Sequence, residues 1–133
     1  MTAATERVRA AIESFNRGGI EEMLPHFSAD AEWHSAPGWA GKEIYVGEAG
    51  VRELVAEWTD SFAEYRWDAL QFLELSPRWV LCLVEHKGRT REGVEVDAPL
   101  GAIAELGEGT IVSMRSYFTW EETLRAGADV CKR

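Results

Sequence analysis

The chain has 133 residues, 46% of them hydrophobic, which suits one domain with a core that hides roughly two-thirds of the unfolded surface. The 14 Lys and Arg against 23 Asp and Glu leave a net charge of −9, which disfavours nucleic acid and anionic membranes as partners. No apolar stretch reads as a signal peptide or a membrane span, so the expected address is the cytoplasm.

In chain order, TERVRAAIESFNR (residues 5–17) sets Val8, Ala11, Ile12 and Phe15 on one helical stripe. Thr5 is its expected N-cap, and Gly18-Gly19 its stop. IEEMLPHF reads as a shorter helix whose last turn Pro25 limits. AEWHSAP alternates as a first strand, and Pro37-Gly38 ends it. Gly47 to Tyr65 repeats the helical spacing with Val51, Leu54, Val55, Trp58 and Phe62. Strands follow: RWDALQFLEL, broken at Ser76-Pro77, then RWVLCLVEHKGR, REGVEVDAPLGAIAEL and TIVSMRSYFTW. Gly107-Glu108-Gly109 signals a hairpin between the last two, and EETLRAGA a closing helical turn. Cys82 lies in the apolar run WVLCLV and reads as a core residue. Cys131 falls on a tail expected to be mobile, and two cysteines make no disulfide framework.

Helices, a strand, a helix and then a run of antiparallel strands define an α+β domain over residues 1–133. RWVLCLVEH carries Val80, Cys82, Val84 and His86 on one face and Leu81, Leu83 and Glu85 on the other, as a central strand does. Because the helices are expected to cover one sheet face only, the other would need a partner, and a two-fold homodimer is expected there, with Arg115 and Tyr117 at the contact. The chain has no phosphate-cradling glycine loop, no CxxC, no HExxH and no GxSxG. His26, His34 and His86 are too far apart to read as a local metal site, so neither metal nor cofactor is expected.

With this order of elements, the segments VRAAIESFNRGGIEEMLPHFSADAEWHSAPG, VGEAGVRELVAEW and GTIVSMRSYFTWEETLRAG resemble the SnoaL-like branch of the nuclear transport factor 2-like superfamily, over about residues 5–127. The resemblance implies a cone-shaped α+β barrel: a strongly bent, mostly antiparallel sheet wrapped around a long helix, with two further N-terminal helices and a pocket between. It also implies kinship with polyketide cyclases, limonene epoxide hydrolase and ketosteroid isomerase. The isomerase's base position falls on Ser35 and its two oxyanion donors on Ala11 and Ala102, so isomerase chemistry is not expected. The hydrolase's five polar positions fall on Trp33, Ser35, Val84, His86 and Ser116, so its carboxylates are gone as well.

On that match Trp33, Ser35, Trp58, Val84, Ala102 and Ser116 line a hydrophobic pocket, while His34 faces away. His86 is the candidate catalytic residue, an acid/base group between apolar neighbours and assisted by Ser116 or Ser35. Asp97 falls on the outer face by alternation from Ala102, unless a bulge near Pro99 reverses it. Two functions fit: a polyketide cyclase-like enzyme that takes a small apolar ring compound, and a non-catalytic ligand-binding or assembly module of the same fold.

Overall fold

Thr2, not Thr5, caps the first helix: its hydroxyl accepts from the Thr5 N–H at 3.1 Å. Thr5 instead turns its own hydroxyl back to the Thr2 carbonyl oxygen at 3.0 Å. The helix so begun, α1 (Ala3–Gly18), ends where Gly19 takes φ 77°. The computed structural model describes residues 2–132. A single turn, α2 (Ile20–Met23), passes into a 3-10 turn over Leu24–His26 that holds Pro25. The strand β1 (Phe27–His34) therefore starts four residues earlier than its alternation indicated. A three-residue strand, β2 (Ile44–Val46), is too short for a periodic pattern and was not expected from the sequence. Helix α3 (Gly47–Thr59) stops before Phe62, which belongs to β3 (Phe62–Ser76). Then come β4 (Trp79–Thr90), β5 (Glu95–Gly107) and β6 (Thr110–Tyr117). Glu108 and Gly109, both at positive φ (48° and 89°), make the tight turn between β5 and β6 that the Gly-Glu-Gly signal indicated.

The six strands form one open sheet in the order β2-β1-β6-β5-β4-β3. Every pairing is antiparallel except that of β1 with β6. The register of β4 on β5 runs unbroken from Trp79↔Glu105 to Arg89↔Glu95. Strict alternation then places Leu100, Ala102, Cys82, Val84 and His86 on the concave face, and Leu81, Leu83, Glu85, Asp97 and Ile103 on the convex one. No bulge forms at Pro99, so Asp97 faces outward. Pro99 lies beyond Gly101, the last β5 residue paired to β6, where its missing N–H leaves no ladder bond unmade on that side.

Helices α1 and α3 fill the concave side. Val8, Ala11, Ile12 and Phe15 of α1 and Val51, Leu54 and Val55 of α3 meet Cys82, Val84 and Ala104 in one buried cluster. The convex side is not bare. The closing segment is a full helix, α4 (Trp120–Cys131), capped by the Thr119 hydroxyl, and Cys131 is its last residue rather than part of a loose tail. It lies against β5 and β4 so closely that a Cβ on Gly101 would stand 1.8 Å from Thr123 Oγ1, and one on Gly127 2.6 Å from Leu81 Cδ1. Leu81 and Ile103 are each only 1% exposed beneath it. The premise that helices cover one face only therefore fails, because the sequence pattern of EETLRAGA was read as a turn. A chain-internal helix hides Leu81, one of the residues from which a partner had been inferred, while Leu83, Arg115 and Tyr117 stay half-buried. No helix among the described residues is long and apolar enough to cross a membrane.

Candidate functional site

Six tryptophans make aromatic packing the dominant feature of the cone interior, and four of them meet there. Trp58, near the end of α3, stands edge-on to Trp33 of β1, to Trp67 of β3 and to Trp39 in the β1–β2 loop, with ring centroids 5.5, 5.9 and 6.2 Å away. Phe15 stacks on Trp67 at 4.0 Å. The indole N–H of Trp33 donates to Ser116 Oγ at 2.7 Å, so the buried hydroxyl has a partner inside the cone. These rings divide the interior into two spaces.

The inner space is a chamber of about 40 Å³, walled among others by Trp33, Trp58, Trp67, Val84, Ala102 and Ser116. It is the place where the family resemblance put the pocket, and five of the six residues expected there line it. It is nearly filled. Its walls are apolar apart from the engaged Ser116, so it is a dry gap rather than a water site. Ser35 lies elsewhere: β1 has ended, and its hydroxyl donates to the Lys42 and Glu43 carbonyl oxygens at 2.7 and 3.2 Å, tying the β1–β2 loop. His34 is half-buried, 3.3 Å from Glu32 at the strand end. The Cys82 thiol, enclosed beside this chamber, is pushed up to about 12 by burial and is inert as a nucleophile.

The outer space is a mouth cavity of about 240 Å³. His86 lines it, not the inner chamber, together with Trp39, Trp58, Tyr65, Leu100 and Phe118. Trp58 and Leu100 border both spaces and form the wall between them. The partners of His86 differ from those expected of it. Neither Ser116 nor Ser35 touches it; the Tyr65 hydroxyl lies 3.1 Å from Nδ1. A second bond anchors the same hydroxyl. Trp67 Nε1–H, which can only donate, gives its hydrogen to Tyr65 Oη at 2.9 Å. With the hydroxyl hydrogen of Tyr65 given to Nδ1, the ring proton of neutral His86 sits on Nε2; with Nδ1–H given to Tyr65, it sits on Nδ1. Burial holds the His86 pKa below its ordinary value, and Asp97 on the far face opposes this only in part. Burial also raises Tyr65, which stays a protonated donor. The sequence carried no sign of this relay, because Tyr65 was read as the end of a helix and Trp67 as part of a generic strand.

A second hub fixes the mouth from the other side. Tyr45, 1% exposed, accepts at its hydroxyl from Trp39 Nε1–H (3.0 Å) and Lys42 N–H (2.9 Å), and donates to Glu57 Oε1 (2.6 Å). One oxygen thus holds the loop, an aromatic wall and a carboxylate in place. Burial, and then the bond to Glu57, raise the Tyr45 pKa. Gly41 leaves room for the hub: a Cβ there would stand 2.3 Å from the Tyr45 hydroxyl and 2.7 Å from Glu57 Oε1. Gly41→Ala should therefore loosen the β1–β2 loop and cost about 1–3 kcal/mol, the scale of overpacking. Denaturant melts would read the cost, and the Trp39 indole N–H resonance should lose its hydrogen-bonded shift while that of Trp33 keeps its own.

On the convex face Asp68, Glu85 and Asp97 gather with Lys87 and Arg66. Glu85 is held above the ordinary carboxylate range, first by the hydrogen bond it can share with Asp97 and then by burial. No group of three or more His, Cys, Asp or Glu among the described residues is arranged to hold a metal ion.

The model of the SnoaL-like domain matches residues 8–114. No curated protein matches the sequence significantly. Solved structures match across almost the whole chain. TerC, co-crystallised with polyporic acid, is 18% identical over 99% of this chain and 100% of its own, with a TM-score of 0.78. A nuclear transport factor 2-like protein of unknown function from Burkholderia pseudomallei is 20% identical over 94% and 97%, with a TM-score of 0.77. A proposed polyketide cyclase of Xanthomonas campestris is 21% identical over 93% and 96%, with a TM-score of 0.71. At these identities the likeness establishes a shared cone fold and leaves the chemistry to the residues of the site.

Proposed function

The chain belongs to the SnoaL-like family, and from that membership we propose that it is a small-molecule enzyme of the cyclase-like kind, with its ligand in the mouth cavity and an oxygen of that ligand on His86 Nε2. One observation carries this reading: the Trp67–Tyr65–His86 relay, which holds the imidazole at the wall of a cavity, and in which a Tyr65 hydroxyl donating to Nδ1 leaves the ring N–H on Nε2. A donor so held stabilises negative charge as it builds on a carbonyl oxygen, for instance in an aldol-type ring closure. Donation, not proton transfer, is the role that fits. If His86 gave up the Nε2 proton, Nδ1 would have to draw a replacement from Tyr65, whose pKa burial has raised. The structural neighbours named for polyketide cyclisation and for polyporic acid support a small organic ligand in a cone of this kind.

A second reading, a binding module with no chemistry, is favoured by the filled inner chamber of about 40 Å³. Nitrogen-detected NMR of the His86 ring and a His86→Ala variant separate the two. The ring should show the Nε2–H tautomer and titrate below 6.5. Because the folded value lies below the unfolded one, the stability this group contributes is present above about pH 6.5 and is lost as pH falls through the folded value. Tyr65, Trp67 and Glu57 face the same region, and Tyr65→Phe should release the tautomer. Against hydroxylated aromatic ketones, His86→Ala should slow any turnover by about a hundredfold or more. A turnover unchanged in His86→Ala overturns the catalytic role, and binding without turnover in the unaltered protein establishes the second reading.

A further inference from the structure

The mouth cavity has a composition that hydrogen bonding to a neutral ring compound does not require. Its walls carry five aromatic rings, those of Trp39, Trp58, Phe62, Tyr65 and Phe118, and one carboxylate, Glu57. No lysine or arginine lines it among the described residues, and burial favours the neutral form of His86. Aromatic faces carry partial negative charge, and a small space walled by several rings and one anion favours a cation over a neutral body of the same shape. We propose that the ligand bound here carries a positive charge, a small organic ammonium group held by the rings and by Glu57. This rests on the reading that the mouth cavity is the ligand site, and it adds the chemical class of what enters.

Three further features support the inference. The rings come as two packed pairs: Trp39 with Trp58 at 6.2 Å, and Phe62 with Tyr65 at 5.0 Å. Trp39 and Glu57 are set in advance by the single Tyr45 hydroxyl, so a ring and the anion need no reordering when a ligand arrives. That bond uses Glu57 Oε1 and leaves Oε2 for a ligand. The volume, about 240 Å³, lies below the roughly 300–1,000 Å³ of sites for drug-sized molecules and suits a methylated ammonium on a short framework. The net charge of −9 draws cations toward the surface before any contact is made.

The test uses choline and its neutral carbon isostere 3,3-dimethyl-1-butanol, titrated into the whole protein while the Trp39 and Trp58 indole resonances are followed. Choline should shift both resonances and bind about tenfold more tightly than the isostere, the scale of a desolvated cation–π contact aided by one anion. Glu57→Gln keeps an acceptor for Tyr45; it should weaken choline by about tenfold and leave the isostere unchanged. Phe118→Leu, which keeps the wall apolar, should weaken choline alone. Equal binding of the two probes, no response to choline, or an unaltered choline affinity in Glu57→Gln each overturns the proposal. Hydroxylated aromatic ketones are titrated in parallel. If they shift the two indoles and choline does not, the cation is wrong and the cavity reading stands. If no probe shifts them, both fall.

Discussion

Gly101→Val should lower stability by about 3 kcal/mol, the upper range for overpacking, and unseat the C-terminal helix. The position meets Thr123 at 1.8 Å from an added Cβ to Oγ1 and at 2.7 Å to both carbons. Thr123 cannot yield cheaply. It is wholly buried, and its hydroxyl donates to the Thr119 carbonyl oxygen at 2.8 Å in the first turn of α4. Either the helix lifts from the sheet or β5 bends, and both uncover Leu81 and Ile103. Urea melts of Gly101→Val, Thr123→Ala and the double variant give the coupling directly. The double variant should be markedly more stable than the sum of the single changes implies. Simple additivity would mean that helix and strand do not meet as described.

Trp33→Ala should cost about 3–5 kcal/mol, as the loss of a large buried ring does. Trp33 is 4% exposed, stacks on Phe27 at 5.6 Å and abuts Trp58. Its removal also strands the Ser116 hydroxyl, a buried group with its bond cut. The void left behind adds to a chamber that already exists. Indole should therefore bind the variant and raise its melting temperature by a visible margin, while leaving the unaltered protein unchanged. A variant that loses stability without gaining indole binding would mean that the cone collapses onto the gap.

The sequence made the frame legible and the chemistry only in part. Val8, Ala11, Ile12 and Phe15 recur at helical spacing because one side of α1 is buried, and Val80, Cys82, Val84 and His86 alternate because β4 has two faces. The placement of Asp97 followed from alternation alone, since the β4–β5 register has no bulge. Three things lay beyond such patterns. The strand β2 spans three residues and has no period to read. The segment of α4 reads as a single helical turn, and its Gly127, which has no side chain to signal a contact, is where the helix meets Leu81. The site failed for a different reason. The relay joins residues 65, 67 and 86, and the hub joins 39, 45 and 57, through hydroxyl bonds across separate elements, and no spacing along the chain announces such a meeting. Matching positions to relatives put Ser35 in the pocket. The loop carbonyls of Lys42 and Glu43, which hold it elsewhere, belong to a segment that the match did not describe.

The position of α4 has a consequence for how the chain is made. Every strand precedes it in the sequence, so a growing polypeptide can complete its sheet before the helix that shields the convex side has been synthesised. For that interval Leu81 and Ile103 have no cover, on a surface flattened at Gly101 to receive another body. Such an intermediate is open to capture by a chaperone or by a second nascent sheet. Slow decoding or early termination ahead of residue 120 should then appear in the cell as aggregation, with the concave face left untouched.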